Sequence, residues 1–401
     1  MQPINNREKV SVEGFDLSCV KLVDSKATPE TVSLFSYLKN IGKTNMLFGH
    51  QNTNSQGITF KNTDGTHSDV KNAVGAYPAV YGWDTLALVG EEGTYEELVK
   101  WSQAAIEEDA IITISAHAPN FTKVKKVHGI YDFRNAPEKT DSEEDVVVSI
   151  LEEGSETNQA FLAYLDIFVA YAREIKGKDG KPYPIIFRPW HENTGAWFWW
   201  GITHCTPEEY IKLFRYTVDY LRDEKGLHNL LYAYSPNGHF EDEADYLSRY
   251  PGDDYIDIIA YDIYHDNPYP GDGKIEKILK DAEIIVNLAN ARGKVPALSE
   301  VGMRHEENYG IHPTDNGHKS WFTALSKAIQ GHEEARQLAY MLVWRNDSID
   351  HSWVPYRNHP IHGNHELLDD FVTFYNDDFI VFADRLQNVY DLDVKVKNIT
   401  V

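Results

Sequence analysis

Cysteine is nearly absent. Cys19 and Cys205 are the only two in 401 residues, too few for a disulfide framework, and their positions leave open whether they pair. No apolar run reaches the roughly 20 residues that a membrane-spanning helix needs. Neither the GxGxxG nor the GxxxxGK[ST] phosphate loop occurs, which removes the sequence basis for nucleotide binding. Positive charge is scarce: 38 Lys and Arg stand against 62 Asp and Glu, a net charge of −24. That balance argues against nucleic acid or an anionic membrane as partner and fits a neutral substrate. The opening MQPINNREKV lacks the basic-then-apolar pattern of a signal peptide. It is compatible with a cytoplasmic protein or with one whose leader has been removed.

Aromatic residues are plentiful, with 24 Tyr and 9 Trp. Their densest stretch is Pro184 to Gly201, PIIFRPWHENTGAWFWWG. Ile185-Ile186-Phe187 reads as a short buried strand. Within a few residues the chain turns to Arg188, Trp190, His191, Glu192 and Asn193, and then to Trp197, Phe198, Trp199 and Trp200. Exposed aromatic patches usually mark binding sites. An aromatic wall beside a carboxylate is what sugar binding and glycosidic cleavage need.

The same grammar recurs along the chain. Short apolar runs at Met46–Gly49, Ala79–Gly82, Ala110–Ser115, Ile185–Phe187, Leu230–Tyr234, Ile256–Tyr261, Val295–Leu298 and Tyr340–Val343 alternate with helical patterns. Eight such units in this length predict a single (β/α)8 TIM barrel of the α/β class. Residues 1–40 are expected to form an arm and outer helix packed on the barrel, and 41–401 the catalytic barrel. Most runs end, on their C-terminal side, in polar or aromatic residues: His50-Gln51, Trp83-Asp84, His117, Glu192, Asn237, Asp262 with Tyr264, Glu300 and Trp344-Arg345-Asn346. In TIM barrels that end carries the active site.

Glu192 and Glu300, at the ends of the fourth and seventh runs, are the candidate catalytic pair. Glycosidic hydrolysis needs one carboxylic acid to protonate the leaving oxygen and a second carboxylate to attack the sugar carbon or activate water. Arg188, Arg345 and the Tyr264 hydroxyl are candidates for keeping a nearby glutamate charged. Trp83, Trp197 and Trp344 are candidate sugar platforms; each could simply be core, but Trp197 and Trp344 lie just beyond strand ends, where a flat platform is more useful. His50, His117 and His191 could be hydrogen-bonded core residues or zinc ligands. A metal site is disfavoured because the first run ends Gly49-His50-Gln51-Asn52, without a second histidine.

Arg188-Pro189-Trp190-His191-Glu192-Asn193 followed by Trp197-Phe198-Trp199-Trp200-Gly201 resembles the acid/base motif of the glycoside hydrolase family 26 β-mannanases. Phe48-Gly49-His50-Gln51, Ser115-Ala116-His117, Asp262-Ile263-Tyr264, Leu298-Ser299-Glu300-Val301-Gly302 and Trp344-Arg345-Asn346 resemble other strand ends of that family. The resemblance implies a retaining mechanism without cofactor or metal, with Glu192 as acid/base and Glu300 as nucleophile. It places His117, His191, Trp197, Tyr264, Trp344 and Arg345 around the sugar. It also implies a polysaccharide or oligosaccharide substrate, no nucleic-acid partner and a monomer working outside the cytoplasm, with its leader absent from this sequence. Ser115-Ala116 departs from relatives that carry a tryptophan before the third-strand histidine, so contacts near the reacting sugar are expected to differ.

Two further classes remain for comparison. A metal-dependent barrel hydrolase would lose activity in chelator, and a non-catalytic glycan-binding barrel would lack one carboxylate. The connection Ala118–Thr157, with Lys123, Lys125, Lys126, Arg134, Phe121, Tyr131 and Phe133, is long for a barrel. If it walls the cleft, chain-end release of short products follows. If it lies away, cutting is internal, which is the expectation adopted here.

Overall fold

β-Branched and aromatic residues in runs of four to six favour extended backbone, and continuous burial suits parallel strands covered on both faces. The computed structural model describes all residues except 1, 5, 19, 135–144, 306–309 and 396–401. Its central sheet is a closed barrel of strands β1 (Met46–Gln51), β2 (Val80–Asp84), β3 (Ile111–Ser115), β4 (Ile185–Arg188), β5 (Leu230–Tyr234), β6 (Ile258–Asp266), β7 (Val295–Arg304) and β8 (Tyr340–Val343). Neighbours pair in parallel in chain order. Closure comes from β8 against β1, with Leu47 opposite Tyr340 and His50 opposite Val343. Each of the eight sequence runs thus becomes one barrel strand.

The helices follow the apolar periodicity and its stop signals. α1 (Pro29–Ile41) starts on a Thr28 cap with proline in its first turn. α2 (Tyr95–Glu107) and α4 (Pro207–Asp219) start on full capping boxes, Thr94 with Glu97 and Thr206 with Glu209. α3 (Glu156–Glu174), α5 (Lys274–Arg292), α6 (Trp321–Gly331) and α7 (Leu368–Asn376) complete the main outer layer. α6 begins at Trp321, after a turn at Lys319-Ser320.

Two strands outgrow their sequence signals. β6 and β7 stay paired well past the barrel rim, to Asp266 opposite Arg304, with a register shift after Tyr261. Polar residues end the apolar pattern while the backbone pairing continues. The result is a two-stranded arm standing beside the barrel mouth.

Among the described residues of the connection Ala118–Thr157, none lines the mouth cleft. Lys125–Val127 and Ile130–Asp132 form an antiparallel hairpin whose turn is His128-Gly129, both at positive φ, the geometry that matches strand twist. Phe121 packs edge-on against Phe161, Tyr164 and Trp199, and Phe133 against Tyr164. These contacts anchor the segment on α3, outside the barrel. Its stretch 135–144 lies outside the described residues.

The N-terminal arm and the C-terminal tail share the opposite end of the barrel. Val10 N–H donates to the Arg385 carbonyl and Val20 N–H to the Lys395 carbonyl. Val23 N–H bonds Asp257, just before β6, at 2.8 Å. Ile380–Val381 pairs with the first residues of β1. Both ends therefore knit into the base of the fold. Among the described residues no helix is long and apolar enough to cross a membrane.

Candidate active site

The mouth of the barrel opens into a cleft of about 500 Å³ lined by residues from β3 to β8 and their loops. β4 carries its acid on strained backbone: Trp190 and Glu192 hold φ of 54° and 52°. Residues other than glycine sit there only when their surroundings over-determine them. The surroundings are visible. Trp190, Trp199 and Trp200 are fully buried, and each indole N–H is satisfied, by Thr217, by the Ala118 carbonyl and by the His191 carbonyl. Glu192 N–H donates to the Ser235 carbonyl at 2.8 Å. The cluster of tryptophans is therefore mostly a buttress for the β4 loop. Of the four aromatics that follow Gly195, Trp197 is the exposed one, at 41%, and its Nε1 donates to Glu192 Oε2 at 2.8 Å.

Glu300, on β7, is 4% exposed. The Tyr264 hydroxyl donates to its Oε2 at 2.6 Å, and Arg188 Nη2 donates to its Oε1. Arg188 Nη1 donates to Asp262 at 2.8 Å. One oxygen each of Glu192, Asp262 and Glu300 lie within 4.8 Å of one another. Such a close approach of carboxylate oxygens fits the short carboxyl separation of retaining glycosidases, about 5–5.5 Å. It also satisfies a simple count for a metal site, yet two of the three carboxylates already bind a cation, the Arg188 guanidinium.

Burial pushes the Glu192 carboxyl up to about 7, and the nearby Glu300 charge adds to it, against the opposing pull of the Trp197 hydrogen bond. A carboxyl with that value can give a proton near neutral pH and take one back. Burial also drives Asp262 upward, while Arg188 works against it.

His117 stands over β3. Burial would lower its imidazole, but Asp84, 2.7 Å from Nδ1, outweighs this and raises it to about 9. Asp84 also accepts from the His117 N–H and the Ser115 hydroxyl. The ring contacts His191, Phe198 and Trp344 at centroid distances of 4.6, 5.3 and 5.9 Å. His191 is 1% exposed and lies 4.0 Å from Glu300. Burial and the charges of Arg188 and His117 push it well below the usual imidazole range, so it is a neutral neighbour of the nucleophile position.

Two sequence expectations need correction. Trp83 is not a platform: it is 1% exposed and packs on Tyr81 at 5.7 Å. Side chains alternate along a strand. Since Asp84 faces the mouth, Trp83 must face the helix layer. Arg345 is not the partner of Glu300 either. It pairs with Glu92 and bonds Gln56 at 3.2 Å, and Arg188 takes the place beside Glu300. His50, opposite Tyr81, is fully buried. Cys205 is a free, buried thiol bonded by Arg249 at 3.0 Å, and Cys19 lies outside the described residues.

The sequence pattern missed Trp353, Arg304, Lys274 and His351, all of which line the cleft, and correctly placed Asn237 there. Trp353 packs on Tyr264 at 5.0 Å and over Gly302, where a Cβ would come within 2.5 Å of its ring. Asn346, at the end of β8, fixes the Trp353 loop by accepting from the N–H groups of Trp353 and Val354. The signal available was a tryptophan seven to nine residues after the Trp344-Arg345-Asn346 motif, which has no fixed spacing.

Comparison with known proteins agrees with this geometry. A family model described as glycosyl hydrolase family 26 matches residues 23–336. A mannan endo-1,4-β-mannosidase of Bifidobacterium adolescentis is 39% identical over 340 residues. The match covers 82% of this chain and 32% of that protein, so the chain spans about a third of that relative's length. The catalytic domain of the Bacillus sp. JAMB-750 GH26 endo-β-1,4-mannanase superposes with a TM-score of 0.87 at 37% identity, covering 96% of this chain and all of that one. A modular endo-β-1,4-mannanase of Cellulomonas fimi superposes at 0.82 with 35% identity, covering 94% and 81%. A closed barrel with its paired carboxylates on β4 and β7, matched over most of its length by a single family model, belongs to glycosyl hydrolase family 26.

Proposed function

We propose that the protein is a retaining endo-β-1,4-mannanase acting on mannan, galactomannan or manno-oligosaccharides. The observation that carries the reading is the close approach of the Glu192 and Glu300 oxygens, within 4.8 Å, on a family 26 barrel. In the first step a Glu300 oxygen attacks the anomeric carbon while Glu192 gives its proton to the glycosidic oxygen. The bond to the leaving chain breaks and a glycosyl ester forms. In the second step Glu192, now a carboxylate, takes a proton from water, whose oxygen displaces Glu300 and restores the original anomer. Tyr264 and Arg188 hold the Glu300 carboxylate in place, and Trp197 orients Glu192. The two carboxylates carry both steps, so no cofactor is called for.

The hairpin after β3 favours internal cutting, because its segment packs on α3 and contributes no residue to the cleft lining. A polymeric substrate favours work outside the cytoplasm, as a secreted, periplasmic or cell-surface protein, and fractionation of the native host tests that. The enzymatic reading is tested by chromatography of products from linear mannan and from a mixed-linkage β-glucan, with the anomer followed by NMR. Mannan should be cleaved to a ladder of β-anomers. Equal rates on glucan would move the substrate to another β-glycan, and initial α-anomers would reject retention.

A further inference from the structure

The arm formed by the outer ends of β6 and β7 carries more than Tyr264 and Glu300. Along β7, Glu300, Gly302 and Arg304 share the face that looks into the cleft, since side chains alternate. Along β6, Tyr264 and Asp266 do the same, while His265 turns the other way and is tied to Asp272 at 2.6 Å and Trp321 at 3.1 Å. The arm is therefore braced from behind. At its tip Arg304 pairs with Asp266 and lies 5.3 Å over the Tyr264 ring.

Lys274 comes up beside this tip from the start of α5. It sits at the first helical position, behind Gly273, where the helix dipole disfavours a cation. Its ammonium is aimed by a relay: Lys274 Nζ donates to His239 Nε2 at 3.0 Å, and His239 Nδ1 donates to Asp281 at 2.7 Å. Lys274, Asp266 and Arg304 all line the cleft. Two donors and one acceptor of opposite charge, fixed on braced backbone, suit the hydroxyls of a neutral sugar ring better than an anion.

Their side of the reaction centre is set by the acid. Glu192 and its Trp197 face the leaving sugar, and Thr194 beside them bonds Asn237 at 2.6 Å, at the β5 end next to β6. His117 and Trp344 stand on the other side. We propose that Lys274, Asp266 and Arg304 form a sugar subsite on the leaving-group side, one ring beyond the sugar that Trp197 faces, and that it recognises adjacent hydroxyls of an unsubstituted neutral hexose. This rests on the retaining β-mannanase reading.

The test compares kcat/KM on mannotetraose, with an ¹⁸O-labelled reducing end to identify the bond cut, against kcat/KM on an aryl β-mannobioside whose leaving group fills only the nearer position. The tetraose should be cut mainly at its central bond in the unaltered protein. In Lys274→Met and in Asp266→Asn the tetraose-to-aryl ratio should fall about 10-fold, the scale of a hydrogen bond to a charged group, with the cut shifting toward the reducing end. An unchanged ratio and cut position in both variants would overturn the subsite. Equal losses on both substrates would overturn it too, by making the residues structural. No cleavage of either mannoside by the unaltered protein would instead reject the mannanase reading.

Discussion

Arg188 lies between Asp262 and Glu300, donating one nitrogen to each carboxylate, and all three side chains are buried. A buried charge that loses its partner is costly. Arg188→Met should therefore cost about 3–5 kcal/mol of stability and leave little activity. Arg188→Lys should keep more of the fold but not the forked contact. Denaturant unfolding alongside initial rates checks this, and a stable, active Arg188→Met would refute the role.

The two glutamates should fail differently. Glu300→Ala should be nearly inactive on every substrate, because the covalent step is gone. Glu192→Ala should still release a good aryl leaving group that needs no proton, and azide should speed its turnover. Rates on an aryl mannoside and on mannan separate the cases. Equal losses of Glu192→Ala on both would reverse the roles.

Glu192 works as an acid only while protonated. With its carboxyl raised to about 7, kcat/KM should fall as pH rises through that value. Trp197 donates to the charged form, so Trp197→Phe should move this limb to higher pH while weakening binding. The same shift bears on stability. The folded protein holds this proton more tightly than the unfolded chain, so the contribution is full below the ordinary carboxyl value of 4.5, and is lost as pH rises from there through about 7. Glu192→Gln should thus melt higher than the unaltered protein at pH 8 and close to it at pH 4, as calorimetry would read.

Tyr264→Phe removes one hydrogen bond to a carboxylate, worth about 1.5–3 kcal/mol. If it acts on the reaction, kcat should fall about 10- to 100-fold with KM little changed. An unchanged kcat would remove Tyr264 from the chemistry.

Mannan viscosity should drop steeply while few reducing ends have appeared, because the hairpin after β3 stands clear of the cleft. A slow decline with mannobiose from the first minutes would mean that the cleft is blocked at one end.

Much of this was legible in the residues. The eight apolar runs located the barrel strands because burial on both faces demands continuous apolar sequence, and their polar ends located the mouth. Glu192, Glu300 and Tyr264 stood at those ends. What escaped depends on facing and on pairing at a distance. Trp83 read as a mouth residue because a strand end does not announce which side chain turns inward. Arg345 and Arg188 read alike, since the choice of carboxylate is made by three-dimensional register. The β6–β7 arm went unseen because its pairing runs through polar residues, and Trp353 because a loop, not a period, delivers it.

The interlocked ends at the base of the barrel have a practical corollary. Both the opening and closing segments of the chain emerge on the side away from the sugar cleft, near the starts of β1, β5 and β6. Cargo fused there, or a solid support coupled there, would hang beneath the catalyst and leave the mouth facing outward. Attachment through these described base segments should thus preserve access for a long, stiff polymer, whereas attachment through the β6–β7 arm would crowd its approach.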